Sequence, residues 1–221
     1  MNFRAFFFDL DGTLLDTLAD IACACNAALR SAGLPEQKLE RYRNWVGAGF
    51  PNTVSSALGP HAANEDLVIT LVSRARAYYA AHIADHTRPY PGICDALFAL
   101  SAQGISLGVL SNKPEDLVLE LLRRFFPDIP FTAAHGAAPG RPLKPDPAFA
   151  LAMLAKLALE PQHCAYVGDS DVDIRLGLAC GLYPVGVAWG FRGTSELVQA
   201  GAPLILRETS QLARPGEWEC P

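Results

Sequence analysis

The chain has 221 residues, half of them hydrophobic and 19% charged, and 18 Lys and Arg against 23 Asp and Glu give a formal net charge of −5. That apolar content excludes an intrinsically disordered chain, and the acidic balance argues against a nucleic-acid binder, which carries a basic patch. At roughly 100–200 residues per domain, the length fits one large domain or a domain carrying an insert. Residues 4–10 read as a buried strand, and 17–32 as a helix stopped by Gly33 and Pro35. Apolar-periodic helices follow over 36–46, 50–58 and 65–86, with no convincing strand among them. From Pro91 onward the pattern alternates: helix 93–103, strand 105–110, helix 114–126 with Pro114 in its first turn, strand 131–134 and helix 147–157. Strand 164–167, helix 171–180 ended by Gly181, strand 184–188, helix 195–200 and strand 204–206 complete the chain.

Strands alternating with long helices predict an α/β fold, a Rossmann-like doubly wound parallel sheet with helices on both faces. Residues 16–88 break that rhythm and read as an α-helical cap domain inserted after the first strand, leaving 1–15 and 89–221 as the core. The expected hinges are residues 15–17 and 87–91. No apolar run approaches the ~18–20 residues of a membrane span, and the N-terminal residues lack the features of a signal peptide. The six cysteines are scattered without a Cys-x-x-Cys pair and read as small buried hydrophobes of a reducing, cytoplasmic setting. Cys23 and Cys25 stand two apart on a helix, which points their thiols to different faces.

Ligands of open parallel sheets bind beyond the carboxyl ends of the strands. There the sequence places Asp9-Leu10-Asp11-Gly12-Thr13, then Ser111-Asn112-Lys113, Lys144-Pro145-Asp146-Pro147, and Gly168-Asp169-Ser170-Asp171-Val172-Asp173. Crowded carboxylates repel one another unless a cation neutralises them, and Mg²⁺ prefers hard oxygen ligands. A carboxylate can also attack an electrophile and form a covalent intermediate. A lysine and a hydroxyl beside it suit the oxygens of a transferring phosphoryl group, Gly12 allows a tight turn off the strand, and Thr13 adds a donor. The composite predicts metal-assisted phosphoryl transfer. A calcium loop over residues 169–180 fails, because it needs Gly and Glu where the chain has Ile174 and Cys180.

The segments Phe8-Asp9-Leu10-Asp11-Gly12-Thr13-Leu14, Leu110-Ser111-Asn112, Lys144-Pro145 and Gly168-Asp169-x-x-x-Asp173 together resemble the haloacid dehalogenase-like hydrolase superfamily. Asn44-Trp45-Val46-Gly47-Ala48-Gly49, Pro91-Gly92 and residues 186–191 resemble its bacterial phosphoglycolate phosphatases. The resemblance implies Mg²⁺-dependent hydrolysis of a small phosphorylated metabolite, 2-phosphoglycolate foremost. It makes Asp9 the nucleophile, Asp11 the acid and base, Ser111 a hydrogen-bond donor to the phosphoryl group with Asn112 shaping its loop, and Lys144 the bridge between Asp9 and phosphate. It makes Asp169, with Asp9 and the Asp11 backbone carbonyl, the metal ligands, and puts Asp173 behind them or on the metal through water. The second acid, Asp11, argues against dehalogenase chemistry.

Lys113 is the alternative to Lys144, one step beyond the hydroxyl loop. In the cap, Gly47 and Gly49 are expected to lie over the site and shape the substrate pocket, with Thr17 and Asp20 facing the same space. Arg43 is as fit for a surface ion pair as for a substrate carboxylate. His61, His82 and His86 show no metal-ligand pattern and read as surface or packing residues. A β-phosphoglucomutase-like role would need cap groups that deliver a sugar hydroxyl, and no such pattern stands out; sugar-phosphate or pyrophosphate hydrolysis stays open. A non-catalytic binding module would tolerate loss of the strand-end acids, all of which are in place. Neither a nucleic-acid nor a membrane partner is expected, and the chain is read as a monomer or homodimer.

Overall fold

A run of four buried residues, Ala-Phe-Phe-Phe, founds the sheet. In the computed structural model, which describes residues 3–218, strand β1 (Ala5–Phe8) lies at its centre. Cys220, one of the six cysteines, and the first two residues lie outside the described residues. Side chains alternate across a strand, so the run serves both faces. Phe6 and Phe8 join the larger apolar core, whereas Ala5 and Phe7 join a second core on the opposite face.

The chain continues as β2 (Leu15–Asp16), α1 (Leu18–Ser31), α2 (Leu39–Tyr42), α3 (Phe50–Leu58), α4 (Glu65–Ala81) and β3 (Arg88–Pro89). Then come α5 (Ile93–Ala102), β4 (Ser106–Pro114), α6 (Glu115–Phe125), β5 (Phe131–Ala137), α7 (Ala148–Lys156) and β6 (Cys164–Gly168). The last elements are α8 (Asp171–Cys180), β7 (Tyr183–Val187), α9 (Thr194–Gln199) and β8 (Leu204–Leu206). Six strands pair in the order β5-β4-β1-β6-β7-β8, every pairing parallel. Ala5 is in register with Ser106 on one side and Cys164 on the other. Residues from α5 and α6 pack in the core shared with Phe6 and Phe8, and residues from α7 and α8 in the core shared with Phe7. The expected doubly wound α/β sheet is therefore the observed fold, and β1, β4 and β6 end side by side at one edge.

Three expectations need correction. The stretch 36–46 is not one helix: only Leu39–Tyr42 is helical. Asn26 explains this, since it exchanges two hydrogen bonds with the Gln37 backbone (2.9 Å each) and accepts one from the Tyr42 hydroxyl (2.7 Å). Those contacts hold the chain in a loop that helix periodicity does not disclose. The long helix expected to His86 ends at Ala81, and the strand expected to end at Leu110 runs on to Pro114, carrying Ser111, Asn112 and Lys113 with it.

The two expected hinges are paired. Leu15 and Asp16 form a short antiparallel ribbon with Pro89 and Arg88. Beside it Asp20, buried in the first turn of α1, accepts hydrogen bonds from the His86 amide (3.0 Å), the Thr87 amide (2.8 Å) and the Thr87 hydroxyl (2.7 Å). Asp20 is thus a fastener of this ribbon, and not a residue facing the strand-end acids. Among the described residues no helix is long and apolar enough to cross a membrane. The five described cysteines are free; Cys25, Cys164 and Cys180 are buried as expected, whereas Cys23, on the opposite helix face from Cys25, is exposed and Cys94 is half-buried.

Candidate active site

Asp9 follows β1 directly, its backbone amide donating to Val167 of the neighbouring strand (2.9 Å). The sheet thereby sets Asp9 at its open edge, beside the ends of β4 and β6. Gly12 turns the chain away at φ 88°, a conformation that costs glycine little. This lets the loop fold back, with the Gly12 amide donating to Leu15 (2.8 Å).

Asp169 completes the acidic edge after β6. Its carboxylate accepts from the Phe191 amide (2.7 Å) and, weakly, from the Thr13 hydroxyl (3.4 Å). The space it occupies exists only because its neighbours lack side chains. A Cβ on Gly12 would stand 2.4 Å from Asp169 Oδ2, and one on Gly190 would stand 2.2 Å from Asp169 Cβ and 2.5 Å from the Gly12 carbonyl oxygen. Asp173 opens α8, where it forms a capping box with Ser170: its Oδ2 accepts from the Ser170 hydroxyl (2.6 Å) and amide (3.1 Å). Carboxylate oxygens of Asp9, Asp169 and Asp173 lie within 4.8 Å of one another, all three residues buried.

Lys144 answers part of that charge. Its ammonium donates to Asp173 Oδ1 (2.7 Å) and the Tyr166 hydroxyl (3.0 Å), and lies 2.9 Å from Asp9 Oδ1. The contact with Asp9 is a close ion pair without hydrogen-bond alignment, so that oxygen keeps unused accepting capacity. Burial pushes the Lys144 ammonium down, but Asp173 and Asp9 outweigh it and hold its pKa well above the ordinary value. For Asp169, burial first and then repulsion from Asp173 and Asp9 raise the pKa well above the carboxylate range. Burial also raises Asp173, against the pull of Lys144. One ammonium for three carboxylates leaves a surplus of buried negative charge that a small divalent cation would relieve. The all-oxygen donor set and the glycine-lined space around Asp169 fit such an ion.

Asp11 faces away from this cluster. Its carboxylate accepts from the Thr17 hydroxyl (2.7 Å) and from Lys113 Nζ at 2.8 and 3.0 Å. Lys113 thus does not compete with Lys144 for Asp9; it holds the second acid. Its position on β4 carries the signal that sequence spacing obscured: in a strand, residues two apart share a face, so Lys113 emerges beside Ser111. Burial lowers the Lys113 pKa, but Asp11 more than reverses this and raises it.

Asp9, Asp11, Ser111, Asn112 and Lys113 line a narrow cavity of about 20 Å³ open to water-sized molecules, and Gly47, Gly49 and Phe50 close it from the helical segment. Asn112 ties the two sides together, donating to the carbonyls of Gly47 (3.0 Å) and Lys144 (3.1 Å) while accepting from the Lys144 amide (2.8 Å). Arg192, absent from the sequence reading, donates to the Val46 carbonyl (3.0 Å) and fastens the same loop from the C-terminal side. Arg43 is exposed and does not line the cavity, and His82 pairs with Asp85 (2.8 Å) on the surface.

A Rossmann-like sheet whose strand ends set Asp9, Asp11, Ser111 and Asp169 at one edge, with Lys144 of the loop before α7 among them and a helical segment closing over them, defines a class of hydrolase. The chain belongs to the haloacid dehalogenase-like hydrolases, whose family model matches residues 6–187. It is an enzyme that cleaves phosphoric monoesters. It is 31% identical to a phosphoglycolate phosphatase of Haemophilus influenzae over 217 residues, covering 96% of this chain and 97% of that one. It is 33% identical to a phosphoglycolate phosphatase of Chromobacterium violaceum, with coverage of 96% and 95%. A crystal structure from Lactobacillus delbrueckii subsp. bulgaricus, provisionally described as a phosphoglycolate phosphatase, superposes with a TM-score of 0.89 at 31% identity, over 97% of this chain and 98% of that one.

Proposed function

We propose that the protein is a Mg²⁺-dependent phosphatase that hydrolyses a small phosphomonoester, 2-phosphoglycolate foremost, through an aspartyl-phosphate on Asp9. The observation that carries this reading is Asp9 itself. It is buried and held against Lys144 on one side, and it faces a water-sized cavity shared with Asp11 on the other. Asp9 attacks phosphorus; the P–O bond to the leaving alcohol breaks, and Asp11 delivers the proton that oxygen requires. Asp11 then takes a proton from water, which attacks the phosphoryl group and returns Asp9 to its carboxylate. Lys144 and the Ser111 hydroxyl stabilise the charge on the phosphoryl oxygens. Asp9, Asp169 and the Asp11 backbone carbonyl are the residues that would hold Mg²⁺, with Asp173 beside them; the bound ion would supply charge neutralisation between nucleophile and phosphate.

Residues 16–88 serve as the cap, with Gly47 and Gly49 placed above Asp9 and Thr17 orienting Asp11. Cap closure keeps bulk water from the phosphorylated aspartate. The working protein is read as cytoplasmic, monomeric or homodimeric. Turnover of p-nitrophenyl phosphate and of a panel of phosphorylated metabolites, with Mg²⁺ and with EDTA, tests the reading. Mg²⁺-dependent turnover that Asp9→Asn abolishes is the expected result, and an Asp9→Asn enzyme of near-native rate removes Asp9 as nucleophile.

A further inference from the structure

The cavity beside Asp9 contains a buried ammonium, beside Asp11, that can do more than hold the second acid. Its polar lining is nearly all committed. The Thr53 hydroxyl lies within donating distance of the Trp45 and Gly49 carbonyls (3.1 and 3.3 Å). Both ends of the Asn112 amide are bonded to backbone. Ile21, Val46 and Phe50 contribute only hydrocarbon. The remaining cation of the lining is Lys113, 2% exposed in its side chain, bonded to both Asp11 oxygens and lying 4.4 Å from the ring centre of Tyr79 on α4. Lys144 serves the other side, where its partners are Asp9, Asp173 and Tyr166.

We propose that Lys113 is the specificity-determining residue of this enzyme, selecting phosphomonoesters whose small leaving group bears a negative charge, a carboxylate in particular. This rests on the phosphatase reading above. The alcohol that leaves phosphorus takes its proton from Asp11, so a substituent one or two atoms further on comes within reach of the ammonium that Asp11 holds. With Asp9 and the Ser111 hydroxyl serving the phosphoryl group and the other amides committed, an anion gains a charge-assisted hydrogen bond there and a neutral group does not. Tyr79 and the α4 face behind it keep water from competing for the ammonium, so that contact is stronger than it would be on the surface.

Two substrates of nearly equal size isolate the effect: 2-phosphoglycolate and 2-hydroxyethyl phosphate. The purified full chain with Mg²⁺ is expected to prefer the carboxylate by at least about tenfold in kcat/KM. Lys113→Met is expected to erase the preference, lowering the ratio about 10–100-fold, as for the loss of one charge-assisted hydrogen bond. Lys113→Arg is expected to keep part of it. Any damage to Asp11 slows both substrates and cancels in the ratio. Equal losses on the two substrates overturn the proposal and leave Lys113 as a support for Asp11 alone. Should Lys113→Met not fold, the native enzyme decides, since equal kcat/KM for the two substrates also overturns it. A native enzyme inactive on every phosphomonoester would refute the phosphatase reading instead.

Discussion

Replacing Gly190 by alanine tests whether the carboxylate edge is built to the tolerance the structure implies. The added methyl would stand 2.2 Å from Asp169 Cβ, 2.6 Å from its Cγ and 2.5 Å from the Gly12 carbonyl oxygen. Ordinary carbon contacts lie at roughly 3.5–4.0 Å, so atoms must part by more than an ångström. Two of the three are not the free end of a flexible side chain. Overpacking of this kind costs about 1–3 kcal/mol, and displacing Asp169 also loosens its charged bond to the Phe191 amide, worth about 1.5–3 kcal/mol. The expected loss is about 3–5 kcal/mol in urea unfolding. The Mg²⁺ concentration for half-maximal activity should rise roughly 10–100-fold, the range seen when support of a metal ligand is lost. Gly193→Ala is the control: its Cβ would meet nothing closer than the Ser195 hydroxyl oxygen at 3.7 Å, and it should be nearly neutral. A Gly190→Ala enzyme that matches the control in both stability and Mg²⁺ dependence refutes the reasoning.

The buried acids also predict opposite pH trends with and without metal. Burial raises the pKa values of Asp169 and Asp173 above the ordinary carboxylate range, so in EDTA their contribution to stability is full below about pH 4 and is lost as pH rises through the raised values. A divalent cation needs the ionised forms, so the gain in Tm from Mg²⁺ over EDTA should widen with pH in thermal unfolding, and a gain independent of pH contradicts this. Asp20→Ala strands the two buried donors of Thr87 and loosens the half-buried His86 amide, and should cost about 2–4 kcal/mol in urea unfolding; a loss below about 1 kcal/mol would show that the β2–β3 ribbon does not depend on it.

The strand-end acids were legible because the chemistry and the fold leave the same mark: an apolar run ending in Asp9 or Asp169 is both a buried strand and a site position. The alternation of strand and helix likewise disclosed the sheet. What escaped were features created by distant pairing. Ser111 to Lys113 look like a polar loop, yet β4 continues through them because Pro114 pairs with Ala137 of β5. The role of Lys113 is invisible until Asp11, 102 residues away, is placed against it. Asn26 holds the chain at Gln37 out of a helix through contacts that no local period encodes, and Arg192 reaches a backbone carbonyl 146 residues earlier. Asp20 carried the right chemistry for a site residue and was turned to the hinge by Thr87.

Leu15 opposite Pro89 and Asp16 opposite Arg88 give the chain a single doorway out of the sheet and back. Seen from the strands, everything between is a loop whose ends are already tied, and doubling the length of such a loop costs only about 0.6 kcal/mol in closure entropy. The pairing of the six parallel strands thus tolerates a change in the length of what is threaded through that doorway. A segment of another length could be tied in at the same place with Asp9, Lys144 and Asp169 left where they are.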